Sequence, residues 1–413
     1  MMSMSGVHLR LEPAFPLCKE CSVSAVRIWF NRNFATNMHT LTQIRENSEG
    51  RSVTLFGSHV DVSSPMLAAC DHAFLEPPYV GDEYVDYALD FCSQNRIEVF
   101  LPVLAQEAIA QRIEDFTAAG VRVIAPTHAS IALLADKAAT YRSLTSRPDL
   151  VPPWREITGS AEFSQALVEF GEDLHHEAKL VLKPSRGVGA DGVRFLVPDK
   201  PSLASLLGPV EPIVTPEEVL RVLESAESLG IHVPPVLVMP YLQRPEISVD
   251  VLARDGKVVV AVPRVKAGRD RVLDCDPEIM PIVHDLVAFF GLHALVNLQF
   301  RYWRGRPVLL EINTRPAGGL FQTQLAGVNI PWLAVKTALG EEITAAESTP
   351  VLGAKYVTVT TLVPLADTPP VQILTSGLAA GDLTPDPIHH AADEGSDGAE
   401  FTEVGPVVGV DAG

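Results

Sequence analysis

Basic residues are scarce in this 413-residue chain, where 32 lysines and arginines stand against 51 aspartates and glutamates for a formal charge of -19. This balance argues against a broad phosphate-binding face, so we expect no nucleic-acid partner. Uninterrupted apolar runs of about 18 residues are missing, which predicts no membrane span. The first 25 residues lack a charged start followed by an apolar run, so we expect no signal peptide and a cytoplasmic location.

Cysteine is also rare. The chain has five, and they are Cys18, Cys21, Cys70, Cys92 and Cys275. An odd and scattered set favours reduced thiols. Cys18 and Cys21 form one C-x-x-C, but neither a second pair nor nearby histidines follow at zinc spacing. The favoured interpretation is a reduced, disordered N-terminal arm, and a metal or redox site is the alternative.

The periodicity of the apolar residues predicts an α/β domain at residues 26–126. Short β-rich runs alternate with amphipathic helical runs, which implies a Rossmann-like parallel sheet with right-handed crossovers. The predicted strands are VRIWF (26–30), SVTLF (52–56), IEVFLPV (97–103) and VRVIAP (121–126). A helical segment over 127–144 then leads out of this domain.

Gly187, Gly189 and Gly192 spell G-x-G-x-x-G, yet they lie between two predicted strands, KLVLKP and VRFLV. A dinucleotide fold needs these glycines to open a helix, and a Walker loop needs Gly-Lys-Ser/Thr, which is absent. The pattern therefore predicts a glycine-rich hairpin. Its backbone N–H groups and Lys183 could bind phosphate; the alternative is a loose hairpin with one surface lysine.

Polar residues interrupt two later apolar strands. VNLQF and VLLEIN are joined by the turn WRGR, and they carry Gln299, Glu311 and Asn313. Glu311 and Asn313 are two residues apart, so they face one side of the sheet. Hard oxygen ligands of this kind suit Mg²⁺. The alternative is an edge strand whose polar residues face water. Residues 236–254 are predicted to form another pair of strands, around an acidic residue.

Taken together, the bridging helix, the glycine hairpin, the strand pair at 236–254 and the E-x-N strand resemble the ATP-grasp superfamily, over about residues 127–365. They look most like its carbamoyl-phosphate-synthetase, biotin-carboxylase and amino-acid-ligase branches. The resemblance implies a pre-ATP-grasp domain at 26–126 and a two-lobed ATP-grasp domain at 127–365, with a small lobe at about 150–240. An N-terminal arm (1–25) and a C-terminal segment (366–413) would flank them.

The resemblance also implies ATP-binding residues. Lys137 and Lys183 match the lysines that reach the phosphates, and Glu246 matches the acid that binds the ribose hydroxyls. A hinge from Met239 to Leu242, including Tyr241, matches the segment whose backbone reads adenine. This chain has Met239 and Pro240 where the family usually has an acidic residue, and the sequence leaves open whether that alters adenine recognition.

Further matches concern metal and catalysis. Gln299, Glu311 and Asn313 match ligands of Mg²⁺, with Mn²⁺ as an alternative, and Arg315 matches the arginine near the transferred phosphoryl group. Arg264 and Lys266 would meet the γ-phosphate or a substrate carboxylate; the alternative is a solvated strand face. The glycines of RPAGGLFQTQLAG precede a predicted helix and could bind a substrate carboxylate.

The function implied is an ATP-dependent ligase that joins a small-molecule carboxylate to an amine, a carbon–nitrogen bond, through an acyl phosphate, releasing ADP and phosphate. Two alternatives remain open: a kinase-like phosphotransferase and a nucleotide-binding regulator without turnover. Arg32 and Asn33 follow the first predicted strand, so they are either substrate contacts or caps of the next helix. Residues 199–235 could be a lid or decoration, and a homodimer is possible on this sequence.

Overall fold

The computed structural model describes residues 25–171, 179–187, 189, 191–198, 212–268, 270–359, 362–364 and 368–374. The C-x-x-C arm, residues 199–211 and the chain after residue 374 lie outside these ranges. No helix in the described ranges is both long and apolar enough to cross a membrane.

The first part of the chain forms a parallel sheet with helices between its strands. Strand β1 lies at the centre, paired in parallel with β2 on one side and with β4 on the other. The elements, in chain order, are β1 (Val26–Phe30), α1 (Asn37–Arg45), β2 (Val53–His59), α2 (Pro65–Ala68), β3 (His72–Leu75), α3 (Gly81–Asn95), β4 (Val99–Leu101), α4 (Gln106–Gln111), α5 (Ile113–Ala118) and β5 (Arg122–Val123). The predicted strands are confirmed, and β3 is an additional one.

The segment that leads out of this sheet is two helices, α6 (His128–Leu134) and α7 (Lys137–Ser143), where the sequence predicted one. The break lies at Asp136, which is extended and accepts a hydrogen bond from the Ala139 N–H as the N-cap of α7. Lys137 is therefore the first residue of its own helix, which fixes where its side chain leaves the backbone.

A second, mixed sheet follows, with strand order β6, β10, β7, β8, β9. Its elements are β6 (Arg155–Ile157), α8 (Ser160–Glu169), β7 (Leu180–Pro184), β8 (Arg194–Leu196), β9 (Ile213–Val214), α9 (Pro216–Ser228) and β10 (Val236–Pro240). β7 and β8 are antiparallel neighbours on either side of the glycines. The predicted glycine hairpin is thus confirmed.

The third sheet is the largest, and its order is β15, β14, β11, β12, β13, β16. Its elements and those packed around it are β11 (Gln243–Arg254), β12 (Lys257–Ala267), β13 (Asp270–Val272), α10 (Ile279–Phe289), β14 (Ala294–Trp303), β15 (Arg306–Asn313), a 3₁₀ helix (Leu320–Ala326), α11 (Ile330–Ala338), α12 (Ala345–Ser348) and β16 (Lys355–Val357). β17 (Val371–Gln372) returns to the first sheet beside β3, in a stretch that the sequence assigned to a C-terminal segment.

One predicted pairing is wrong. The strands of residues 236–254 are real, but β10 and β11 belong to different sheets. Both edges of β10 are already occupied, by β6 and β7, so β11 cannot pair with it and instead pairs with β12 and β14. Residues 241 and 242 therefore connect the second sheet to the third.

Alternation along the third sheet separates its two faces. Ile247, Val249 and Val251 of β11 pack with apolar residues of α10 on one face. On the other face Leu252 joins a cluster with Val26 and other buried residues of the first sheet. Further along that second face the residues become polar. The predicted fold class, α/β and α+β with a Rossmann-like parallel sheet followed by a two-lobed domain, is confirmed by this arrangement of one parallel sheet and two further sheets.

Candidate functional site

The polar half of the third sheet is built by strict two-residue alternation. Glu246, Ser248 and Asp250 share one face of β11, and antiparallel pairing places Gln299 opposite Ser248 and Asn297 opposite Asp250. Because the neighbouring strands continue this register, the polar residues of β11, β12, β14 and β15 collect on a single surface. We call this surface the polar face.

The three predicted metal ligands lie together at one side of the polar face. Gln299 is paired with Glu311 and Asn297 with Asn313 in the β14–β15 hairpin. The Asn313 amide nitrogen donates to Glu311 Oε1 at 3.1 Å, and the Gln299 amide nitrogen donates to Asn297 Oδ1 at 3.3 Å. These bonds use the amide nitrogens, so the amide oxygens of Gln299 and Asn313 are the atoms suited to a cation.

Lys137 joins this group to the glycine hairpin. Its ammonium donates to the carbonyl oxygen of Gly187 at 2.9 Å and lies 3.8 Å from Glu311 Oε2. The start of its helix is held to the same hairpin, because the Lys137 N–H donates to the Ser185 carbonyl and the Ser185 hydroxyl donates to Asp136. Burial alone would raise the pKa of Asp136, but hydrogen bonds from the Ser185 hydroxyl and the Ala139 N–H, together with the charges of Arg186 and Arg142, lower it.

Lys183 lies deeper, at the start of the glycine hairpin. Its ammonium donates to the Tyr141 hydroxyl at 3.3 Å and to the Leu310 carbonyl at 3.1 Å. Burial lowers the pKa of Lys183 to about 8, an effect that Glu311 opposes and that Lys137 and Arg301 reinforce. The ammonium is thus a desolvated cation beside the candidate metal ligands.

Glu246 is held between two cations. Its two carboxylate oxygens each accept one ion pair at 3.0 Å, from Lys266 on β12 and from Arg301 on β14. Burial raises the pKa of Glu246, but Lys266 and Arg301 outweigh it and lower the pKa to about 2. A carboxylate of this kind stays ionised and keeps lone pairs for hydroxyl donors.

Arg264 lies in neither of the two settings that the sequence left open. It is fully buried, its Nε donates to Asp250 Oδ2 at 2.6 Å, and its other nitrogens donate to Gln322 and Ser248. A methyl group on Gly319 would lie 2.4 Å from its Nη1, so the guanidinium fills the space beneath that loop. Arg264 therefore forms a buried ion pair with Asp250, and its guanidinium links the polar face to the 3₁₀ helix through Gln322.

Arg315 contacts the loop that follows β1 in the first sheet. Its guanidinium carbon lies 4.7 Å from the ring centroid of Phe34, which follows β1, and its Nη1 donates to the Pro316 carbonyl at 3.2 Å. Burial lowers the pKa of Arg315, and Glu311 opposes this effect. The loop after β1 thereby reaches the edge of the polar face.

Arg32 and Asn33 lie in the same loop. The Asn33 side chain accepts a hydrogen bond from the Phe34 N–H at 2.8 Å, which is a local turn contact. The Arg32 N–H donates to the buried Glu76 at 3.1 Å. Burial raises the pKa of Glu76 to about 7, against hydrogen bonds from Ser58 and from the backbone of Arg32. These contacts fix the loop that carries Phe34.

The predicted adenine hinge spans the connection between the second and third sheets. Met239 and Leu242 are buried together with Val308, and Trp154 packs against them. Tyr241 is only half-buried, and its N–H donates to the Lys179 carbonyl at 2.7 Å. The hinge backbone therefore lies beside the start of β7, the strand that leads into the glycine hairpin, and the buried side chains of the hinge pack in an apolar cluster.

Some residues of this site were not singled out from the sequence. Ser248, Asp250, Asn297 and Arg301 continue the alternation that begins at Glu246 and Gln299, so the same period-two signal could have found them. Tyr141 lies four residues after Lys137 on one helix face, which is also a readable spacing. Phe34 and Gln322 carry no such signal, because only the tertiary fold brings them to the polar face.

The donor atoms around Glu311 are oxygens, which are the ligands that Mg²⁺ takes. Among the residues that the structure describes, no group of three or more histidine, cysteine, aspartate or glutamate side chains could hold a metal ion. Glu311, Gln299 and Asn313 supply instead one carboxylate and two amide oxygens. Such a set fits Mg²⁺ that keeps additional oxygen ligands from water or from a nucleotide.

Comparisons with known proteins agree with this architecture. Residues 232–362 match the family described as "ATP-grasp in the biosynthetic pathway with Ter operon". This range includes the hinge, β11 to β16 and the candidate metal ligands. A search of curated proteins found no match.

Solved structures resemble the chain over most of its length. The N5-carboxyaminoimidazole synthetase of Staphylococcus aureus superposes with a TM-score of 0.55 at 12% identity, covering 77% of this chain and 78% of that one. The biotin carboxylase of Campylobacter jejuni, in a complex described as beta-gamma-ATP, gives 0.57 at 16% identity, with coverages of 79% and 74%. The biotin carboxylase domain dimer of the 2-oxoglutarate carboxylase from Hydrogenobacter thermophilus, with MgADP, ADP and bicarbonate, gives 0.54 at 17%, with coverages of 80% and 73%. The likeness extends over both the first sheet and the two sheets that follow.

Proposed function

We propose that this chain, an ATP-grasp protein by its fold and by its family match, is an ATP-dependent ligase that joins a carboxylate to an amine. One observation carries the proposal: Lys137, Lys183, Arg315 and the oxygen set around Glu311 converge on one polar face next to a glycine hairpin. The described part of the site is rich in cationic side chains and hard oxygen ligands. Phosphoryl transfer requires groups of both kinds.

The proposed reaction has two steps. A carboxylate oxygen of the substrate attacks the γ-phosphorus of ATP, and the bond from that phosphorus to the β–γ bridging oxygen breaks, so that ADP leaves with the electron pair. The product is an acyl phosphate. The amine nitrogen then attacks the acyl carbon, the carbon–oxygen bond to phosphate breaks, and the amine loses a proton. An amide, ADP and phosphate result.

Each residue has an assigned part in this proposal. Lys183 and the hairpin with Gly187, Gly189 and Gly192 bind the α- and β-phosphates, and Lys137 lies between that hairpin and Glu311. Arg315 stabilises the charge that develops on the transferred phosphoryl group. Glu246 accepts hydrogen bonds from the ribose hydroxyls, and its ion pairs with Lys266 and Arg301 keep the carboxylate ionised.

Adenine would lie against the hinge of Met239 to Leu242, including Tyr241. Glu311, Gln299 and Asn313 would hold Mg²⁺, which supplies charge neutralisation for the phosphates when bound. We assign Arg264 a supporting part, because its guanidinium is committed to Asp250 and Gln322.

The test is an ADP-release screen of the purified protein against pools of carboxylates crossed with pools of amines, followed by mass spectrometry of the product. We expect ADP and phosphate in equal amounts, with ADP formation dependent on the carboxylate. Hydroxylamine should trap the activated acid as a hydroxamate when the amine is withheld.

A control variant and the product pattern separate the competing mechanisms. Glu311→Gln should retain measurable nucleotide binding and lose turnover, since the candidate metal set loses its one carboxylate. AMP and pyrophosphate as products would contradict attack at the γ-phosphorus. A stable phosphorylated product without free phosphate would favour a phosphotransferase instead. A homodimer remains part of the proposal, and light scattering of the purified chain would measure it.

A further inference from the structure

The hydroxyl of Tyr141 lies where three elements of the candidate site meet. Tyr141 is on α7, Lys183 on β7 and Leu310 on β15. The hydroxyl lies 2.8 Å from the Leu310 carbonyl oxygen and 3.3 Å from the Lys183 ammonium. Tyr141 is 2% exposed and Lys183 is 5% exposed, so water does not compete with these contacts.

The chemistry of the groups fixes the direction of each hydrogen bond. An ammonium only donates and a carbonyl oxygen only accepts, so the Tyr141 oxygen accepts from Lys183 and its proton goes to β15, where the Leu310 carbonyl lies at 2.8 Å and the Leu309 carbonyl at 3.3 Å. Lys183 also donates to the same carbonyl, at 3.1 Å. The three groups form a closed triangle that occupies two of the three ammonium protons and leaves one for another acceptor.

Charges of both signs surround the Lys183 ammonium. Burial lowers the pKa of Lys183, Glu311 opposes this effect, and Lys137 and Arg301 reinforce it. Attraction and repulsion therefore act on the ammonium together and do not by themselves fix its position. The hydrogen bonds to the Tyr141 hydroxyl and the Leu310 carbonyl supply that fixed geometry. Leu310 immediately precedes Glu311, so the triangle also ties the lysine to the strand that carries the candidate metal ligand.

We propose that Tyr141 is a positioning residue that holds the Lys183 ammonium for the nucleotide phosphates. The inference rests on the proposed function, because it takes ATP to be the ligand at Lys183. Its role is separate from filling the core, since a phenylalanine would pack equally well against Trp154, whose ring lies 5.6 Å from that of Tyr141.

The experiment is a double-mutant cycle with Tyr141→Phe, Lys183→Met and the pair, in which calorimetry measures ATP binding in the presence of Mg²⁺. Losing a hydrogen bond to a charged group should weaken ATP binding by Tyr141→Phe about tenfold. With Lys183→Met already in place, the second change should alter the affinity by less than about twofold, because its effect runs through the lysine.

A matched control is Tyr84→Phe, which removes another buried hydroxyl, one that accepts a hydrogen bond from Asn31 in the first domain at 2.9 Å. It should leave ATP affinity unchanged. Thermal melting of each variant establishes that it is folded. Unchanged affinity in Tyr141→Phe, or losses that multiply in the double variant, would overturn the inference while leaving the proposed function intact. Absence of ATP binding by the parent would overturn the proposed function, and the inference with it.

Discussion

At the scale of single residues, the informative signal in this sequence is a polar side chain in an apolar strand. Such residues are costly to bury unless they are paired, so each one marks either a partner or a ligand. Gln299, Glu311 and Asn313 were singled out in this way, whereas Glu246 was assigned through the family resemblance. What the sequence could not supply was the identity of the partners, because Lys266 and Arg301 reach Glu246 from two different strands.

Arg264 illustrates the same limit. The family resemblance implied that Arg264 contacts the γ-phosphate or a substrate carboxylate, and the alternative was a solvated strand face. The structure pairs it with Asp250, which is fully buried and is also held by the Asn297 amide at 2.9 Å. The alternation of Ser248 and Asp250 was readable, but the register between β11 and β12 was not.

A prediction at this scale concerns that pair. Asp250→Asn removes the buried carboxylate that forms an ion pair with the Arg264 guanidinium, so we expect the free energy of unfolding to fall by about 3–5 kcal/mol. Chemical denaturation measures the change. The control is Asp86→Asn at the exposed pair with Arg112, which should change stability by less than about 1 kcal/mol. Equal small effects at both sites would show that the buried pair is not a structural support.

At the scale of elements, short-range patterns predicted the hairpins well. The β7–β8 and β14–β15 hairpins join neighbouring runs, so a turn between two β-rich segments was sufficient evidence. β3 was missed because four residues, HAFL, give too little alternation to recognise. The pairing of β10 with β11 was predicted wrongly because sequence neighbours usually pair, and here both edges of β10 are taken by strands distant in the chain.

The glycine hairpin gives a prediction at this scale. Gly192 has a φ of +70°, and a methyl group there would lie 2.6 Å from Cγ of Pro184, a ring that cannot rotate away. Gly192→Ala should therefore displace the hairpin tip and weaken ATP binding severalfold. Gly50→Ala is the control: its φ is +62° but nothing lies within 4 Å, so it carries the backbone strain without the overlap. Calorimetry with ATP compares the two.

Similar stability losses are expected from the strain that both glycine variants share, so ATP affinity is the decisive measurement. Parent-like affinity in Gly192→Ala would mean that the hairpin tip does not contact the nucleotide. Loss of affinity in Gly50→Ala as well would attribute the effect to general destabilisation.

At the scale of the whole molecule, the order of the parts was predictable and their contacts were not. The change from alternating strands and helices to hairpins indicated a parallel sheet followed by other sheets. The sequence contained no sign that the first sheet shares an apolar cluster with the third, or that β17 returns to the first sheet. Such contacts join residues separated by hundreds of positions, where periodicity carries no information.

The contact between Phe34 and Arg315 is the point where the first domain reaches the proposed phosphoryl-transfer site, and it gives the last prediction. Phe34→Leu keeps apolar volume but removes the ring face that lies 4.7 Å from the guanidinium. A partly buried cation–π contact is worth about 1 kcal/mol, so kcat should fall about fivefold. ATP affinity should stay near that of the parent, because Arg315 is assigned to the transferred group and Lys183 to the other phosphates.

The control is His39→Leu, which removes a different ring contact between α1 and the 3₁₀ helix, at Phe321, and should leave kcat near the parent value. Steady-state kinetics on the substrate pair found in the ADP screen measures both. A fall in kcat of equal size in both variants would assign the effect to loosened domain packing, and a parent-like kcat in Phe34→Leu would remove the first domain from the catalytic step.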